Sequence, residues 1–286
     1  ASPGRAGGYE VGAWLMKIVR YRNSKGEVQH GRLHAEGPTT RLAGDLYHGF
    51  TDTGEAADVA KLLAPVEPVG ILCIGLNYAE HAAEGGKPCP EFPVLFMKTA
   101  SAVQHPGDPV RLPRGLRSDR VDYECELVVV IGRDCKNATQ ENALGFVAGY
   151  TCGNDISARD WQSKWGGGQF CRGKTFDTFA PLGPCLVTPD EITDPNNLRL
   201  QTRLNGQTMQ DSSTADMIFS VKRLIEFLSG STTLRAGTVL FTGTPPGVGF
   251  ARQPPVWLQP GDVVEVEIEG IGVLKNPVIE EEISVL

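Results

Sequence analysis

Nowhere in the 286 residues does an apolar run approach 18 positions, the shortest stretch that reads as a membrane-crossing helix. No membrane span is expected. Runs of Lys and Arg are equally absent, and 27 basic against 34 acidic residues leave a net charge of −7. That balance argues against nucleic acid or an anionic membrane surface as a partner. The seven cysteines form no CxxC pair, their number is odd, and Cys73, Cys125 and Cys152 sit inside apolar runs. They read as small buried thiols of a reducing compartment rather than as a disulfide framework. Nucleotide-binding loops are missing as well. The 241–249 turn, FTGTPPGVG, lacks the Lys-Ser/Thr of a phosphate loop, and no strand leads into Gly166–Gly168. Residues 1–15 have neither a basic n-region nor an apolar h-region, whereas Met16-Lys17-Ile18-Val19 looks like a natural start. The first fifteen residues therefore read as a linker or non-native segment and not as a signal peptide.

Glycine and proline are in excess. Together Gly (34) and Pro (20) make about 19% of the chain, against roughly 12% in an average protein. On an ordinary globular background this points to many short elements joined by tight turns, and away from a helix bundle. The length suits one large domain, or one large and one small. Residues 16–66 read as a small N-terminal domain with strands at Lys17–Tyr21 and Val28–Leu33. The apolar spacing of Ala56, Val59, Ala60, Leu62 and Leu63 suggests a short helix there. Pro65 and Pro68 mark the boundary to a main domain, residues 67–286.

The main domain is strand-rich. Val69–Ile74, Phe92–Met97, Leu127–Ile131 and Val147–Thr151 read as buried strands, and residues 80–93 as a mobile loop with a short helix. Asn205-Gly206 is a type I′ hairpin signal between Leu198–Leu204 and Gln207–Gln210. Ile218, Val221, Leu224, Ile225 and Leu228 share one helical face, with Gly230 as the stop. Near the end, Val264, Val266 and Ile268 alternate with Glu265, Glu267 and Glu269.

Four segments carry chemistry. In DYECELVVVI (122–131), strand alternation puts Glu124 and Glu126 on one face at the mouth of a buried run. Two adjacent carboxylates need a cation or hydrogen bonds, and Mg2+ takes such oxygen ligands. A strand fraying into solvent gives the same pattern. Asp155 ends the next apolar strand and is placed to complete a carboxylate trio, or merely to close a turn. Ser157-Ala158-Arg159-Asp160 then reads as a capping box starting a helix that presents Arg159 and Gln162. Lys174 lies between turn signals and an aromatic run, where it is either solvated or able to neutralise a developing enolate. His81 and Glu84, three apart, share a helical face as an imidazole–carboxylate couple suited to general-base work, or as a surface pair. Thr244 and the backbone N–H groups of its turn can cradle a carboxylate.

Taken in order, these segments resemble the fumarylacetoacetate hydrolase family, specifically its shorter bacterial and mitochondrial branch. The matching motifs are GLNYAEHAAE, ECELVVVIG, NDISARDWQ, GKTFDTFAPLGP, LNG, FTGTPPGVG and GDVVEVEIEGIGVLKNPV, which run almost continuously over 71–278. The family's Lys-Pro-x-Ser stretch departs here to Lys98-Thr99-Ala100-Ser101. The resemblance implies an α+β, mostly β fold: a mixed β-roll or β-sandwich catalytic domain, a small N-terminal β domain and a homodimer. It implies Mg2+ or Mn2+ on Glu124, Glu126 and Asp155. It also implies a lid carrying His81 and Glu84, catalytic support from Lys174, and substrate contacts from Arg159, Gln162 and Thr244.

The function so implied is a metal-dependent hydrolase. It would cleave a C–C bond in a small β-diketo or 2-oxo acid, an acylpyruvate or fumarylpyruvate, through an enolate, with His81–Glu84 activating water. An oxaloacetate keto–enol tautomerase or decarboxylase with the same metal site is the alternative. A non-catalytic scaffold is a third possibility, against which the retained trio, Lys174 and His–Glu pair all speak. The expected setting is cytoplasmic, or the mitochondrial matrix in a eukaryote.

Overall fold

The computed structural model describes residues 15–283, so the expectation for residues 1–15 falls, Leu15 apart, outside the described residues. Its backbone is a mixed, mostly β arrangement. A long sheet runs in the order Gly49–Ala56, Thr40–Asp45, Val28–Leu33, Lys17–Arg22, Ala180–Val187, Val147–Asn154, Cys125–Ile131, Thr238–Phe241, Gly70–Gly75, Val94–Lys98. A five-stranded sheet packs beside it: Gln207–Ser213, Arg199–Leu204, Val263–Ile268, Gly272–Glu280, Val110–Leu112. The N-terminal strands continue the main sheet, because Lys17 and Ile18 pair with Val187 and Leu186.

The Cys125–Ile131 strand is buried along all seven residues. Leu127, Val129 and Ile131 enter one apolar cluster while Val128 and Val130 enter another. A strand covered on both faces reads as a continuous apolar run, and this one does. Val263–Ile268 alternates as expected, with Val264, Val266 and Ile268 inward. Asn205 and Gly206 have φ of 51° and 82°, the two positive values a type I′ turn requires. The amphipathic helix spans Val221–Ser229, with the Ser220 hydroxyl accepting from Arg223 N–H.

Two local expectations are corrected. The 56–63 segment is not helical: Gly49–Ala56 is a strand, and Lys61–Leu63 pairs antiparallel with Lys17–Arg22. A helix this short cannot stabilise itself, so the unpaired strand edge captures Leu62 and Leu63. Ser157 does not cap a helix either. Ser157–Ala158 pairs with Val121–Asp122, and the Ser157 hydroxyl donates to Asp155 C=O. The helical turn begins at Asp160, whose carboxylate accepts from Trp161 N–H, and it winds as a π-helix over Trp161–Trp165.

Register assembles the site. Cys125 pairs with Asn154, so Asp155 lies beside Glu124 and its N–H donates to Glu124 C=O at 2.9 Å. On the other side Thr238–Phe241 runs parallel to Gly70–Gly75. Their C-terminal ends therefore emerge together, which brings the 76–84 segment and the 242–250 turn to the same rim.

Candidate metal centre and its lid

Glu124, Glu126 and Asp155 converge: one carboxylate oxygen from each lies within 4.8 Å of the others, and all three residues are buried. Each is held from its own backbone surroundings. Asn154 Oδ1 accepts from Glu124 N–H at 3.0 Å, and Gly243 N–H donates to Glu126 Oε2 at 2.8 Å.

Cations surround two of the three acids. Lys174 Nζ bridges Glu124 Oε2 and Asp155 Oδ2, 2.7 Å from each. Arg159 Nη1 lies 2.7 Å from Glu124 Oε1, and Lys98 Nζ 2.6 Å from Asp155 Oδ1. Burial opposes ionisation of Glu124, but the charges of Lys174 and Arg159 outweigh it and hold the carboxyl well below the usual range. Lys174 is likewise opposed by burial and kept protonated by Asp155 and Glu124. Glu126 differs. Among the described residues it has no Lys or Arg at ion-pair distance, and burial, Asp155 and Glu124 push its carboxyl well up.

A hard dication fits this set. The donors are all carboxylate oxygens, as Mg2+ and Mn2+ prefer. Asp155 Oδ1 is buried without a hydrogen-bond donor of its own. Asp122, Glu124, Glu126 and Asp155 oppose Lys98, Arg159 and Lys174, so the ionised cluster carries one uncompensated negative charge.

The helix Ala79–Glu84 carries His81 and Glu84, the pair expected on a lid. Glu84 bridges two elements, accepting from Gly247 N–H at 2.9 Å through Oε1 and pairing with His81 Nδ1 at 3.2 Å through Oε2. That pairing turns Nε2 of the ring free for other work. His81 is buried, and its charge when protonated is felt at Glu124. Gln162 Oε1 accepts from Arg159 Nη1 at 3.0 Å, so these two residues stand side by side. The Thr244 hydroxyl is already engaged: it donates to Cys125 C=O at 3.0 Å and accepts from Gln210 Nε2 at 2.9 Å. A ligand meeting this turn would meet backbone, not that hydroxyl.

Three residues escape sequence reasoning. Asp122 receives Arg159 Nε at 2.9 Å and also the N–H groups of Tyr123, Gly249 and Phe250. Gln210 is buried with four hydrogen bonds, joining Cys125 N–H and Thr202 to Thr244 and Pro245. Lys98 was visible as part of a motif, yet its place against Asp155 was not. Gly173 is the tight point beneath: a Cβ there would lie 2.4 Å from Gln162 N, so the Cys171–Lys174 helix can approach the π-helix only without a side chain.

These features give a buried acidic triad able to hold a dication on a mixed β fold, and sequence comparison places that fold in an enzyme family. The profile described as "Fumarylacetoacetate (FAA) hydrolase C-terminal" matches residues 70–279, and one described as "Rv2993c-like, N-terminal" matches 16–65. The chain belongs to the fumarylacetoacetate hydrolase family. It is 50% identical over 220 residues to the oxaloacetate tautomerase fahd2, mitochondrial, of Xenopus laevis, covering 77% of this chain and 68% of that one. The crystal structure of 2-hydroxyhepta-2,4-diene-1,7-dioate isomerase from Mycobacterium marinum superposes with a TM-score of 0.80 at 36% identity, covering 94% of this chain and all of the other. Fumarylacetoacetate hydrolase from Exiguobacterium antarcticum gives 0.82 at 38% identity, over 93% and 100%.

Proposed function

We propose that this chain catalyses keto–enol tautomerisation of oxaloacetate at a divalent-metal centre formed by Glu124, Glu126 and Asp155. The observation that carries this reading is the bridging Glu84, which pins the His81 imidazole where its charge is felt at Glu124. A Mg2+ or Mn2+ ion held by the trio supplies Lewis acidity toward the 2-oxo group when bound. His81 Nε2 takes a proton from C3 and returns it to the 2-oxo oxygen, with Glu84 keeping the ring's orientation and tautomer. Lys174 and Arg159 oppose the negative charge that develops on the enolate. Their buried, pre-placed charges need no rearrangement as the proton moves. Gln162 helps to orient the substrate carboxylate beside Arg159, as does the backbone of the Thr244 turn. The tautomerase name of the Xenopus laevis relative supports this reaction.

C–C hydrolysis of an acylpyruvate or fumarylpyruvate is the second reading. The same His81–Glu84 couple can draw a proton from water, and the Exiguobacterium antarcticum neighbour bears a hydrolase name. An absorbance assay with Mg2+ separates them. Enol-oxaloacetate should disappear much faster with enzyme than without, while acylpyruvates and fumarylpyruvate stay intact. Glu124→Ala should abolish the enzymatic rate. Cleavage of a diketo acid with no effect on the enol would reverse the assignment.

The seven thiols are all free, five of them buried, which supports a reducing compartment: the cytoplasm, or the matrix in a eukaryote. A homodimer is proposed from the family; light scattering should return twice the chain mass.

A further inference from the structure

The molecule raises a question of substrate length, since its relatives bear the names of enzymes for a four-carbon acid and for a seven-carbon dioate. We propose that Phe250 sets that length, admitting a compact 2-oxo acid and closing the site to longer chains. This rests on the reading of the site as a 2-oxo acid centre.

Phe250 stands where such a limit belongs. Its ring centroid lies 4.6 Å from the Arg159 guanidinium carbon. The ring meets the His81 imidazole edge to face, with centroids 6.2 Å apart and planes at 76°. It thus spans the gap between the residue assigned to the substrate carboxylate and the base on the lid. A substrate reaching both must lie along this ring. Atoms beyond C4 would have to pass it.

The ring's backbone is over-determined. Phe250 N–H donates to Asp122 Oδ2 at 3.0 Å and Gly249 N–H to Asp122 Oδ1 at 2.7 Å. Three residues earlier, Gly247 N–H is tied to Glu84 on the lid. At residue 249 a Cβ would lie 2.0 Å from Val256 O, so the chain runs as close to its neighbours as glycine allows. The backbone cannot slide away from a longer ligand. Phe250 is 37% exposed, so its ring is within reach of a ligand entering from solvent. The same Asp122 fixes Arg159, so the two edges of the gap share one reference point.

The test is calorimetric titration of unreactive straight-chain 2-oxo acids with Mg2+ at saturation. The probes are pyruvate, 2-oxobutanoate, 2-oxohexanoate and 2-oxooctanoate. Native protein should bind the eight-carbon acid about tenfold or more weakly than the four-carbon one, in line with pocket discrimination by a few methylenes. Phe250→Ala should remove that penalty. Phe250→Leu, which keeps apolar bulk and guards against a folding failure, should retain part of it. Two outcomes overturn the proposal: native protein that binds long acids no worse than short ones, or an identical length profile in Phe250→Ala. If native protein binds none of the four acids, the 2-oxo acid reading itself fails and takes the proposal with it. That result is distinct from binding without length discrimination.

Discussion

Lys98 touches four oxygens with an ammonium that carries three protons. Ile156, Lys174 and Phe179 C=O accept at 3.1, 2.6 and 2.8 Å, and Asp155 Oδ1 lies 2.6 Å away. The carbonyls take the protons, and Asp155 is left with the charge alone. Without Lys98, Asp155 keeps only the Lys174 ammonium that it shares with Glu124, and three buried carbonyls lose their donor, at a cost of about 3–5 kcal/mol. Lys98→Met should therefore lower the thermal midpoint by roughly 10 °C. Glu126 predicts the opposite. It is the acid of the trio without a cation beside it, so Glu126→Gln should stabilise the metal-free protein by about 1 kcal/mol. The same change should abolish stabilisation by Mg2+. Differential scanning calorimetry with and without Mg2+ checks both, and a destabilised metal-free Glu126→Gln protein would contradict that charge balance. The trio itself was legible because strand alternation and an acid at a strand end are local patterns. Lys98, Asp122 and Gln210 were not, since each acts through partners tens of residues away that only the sheet register brings near.

Elements make a second kind of joint, where the N-terminal strands meet the main body. His105 Nδ1 accepts from Ala64 N–H at 3.0 Å, which requires that nitrogen to be unprotonated. Burial lowers this imidazole from its ordinary value, and Lys61, Arg20 and Arg22 add to the effect against Asp108. The unfolded chain thus binds the proton more readily than the folded one. The contribution is complete above the ordinary value of 6.5 and is lost as pH falls from there through the lowered value. Its size is under about 1 kcal/mol, because His105 is only half-buried and solvent screens it. Urea midpoints at pH 7.5 and 5.5 should differ less in His105→Gln than in native protein. A residual slope of the same sign is expected from His30, which is lowered by burial and by Arg20. Unchanged slopes would remove His105 from the account. Elements also show where sequence periodicity stops informing. Val263–Ile268 and Val221–Ser229 bury one face each, so their patterns read directly. The Lys61–Leu63 strand and the Trp161–Trp165 π-helix are decided by neighbours. The first pairs with Lys17–Arg22, and the second packs on the side-chain-free surface of Gly173.

At the scale of the whole molecule, charge poses a conflict. The chain carries −7, while the proposed substrate is a dianion that must reach Arg159 and Lys174. These two influences act over different ranges. The site charges are buried and paired at 2.6–2.8 Å, so salt hardly weakens them. The net charge acts on approach through water, where salt decides. With one Mg2+ bound the excess is five charges, which repel a dianion roughly 25 Å away by about 1.7 kcal/mol without salt, about 0.5 at 20 mM and under ~0.1 at 200 mM. A gain of roughly 0.5 kcal/mol corresponds to about twofold in association. With Mg2+ held saturating, kcat/KM for oxaloacetate should therefore rise about twofold between these salt concentrations while kcat stays level. Enzymes whose surface field attracts their substrate show the reverse. A fall in kcat/KM with salt would mean that the field of Lys98, Arg159, Lys174 and the bound dication extends past the rim and governs capture. A fall in kcat as well would place the screened charges inside the site, against their burial.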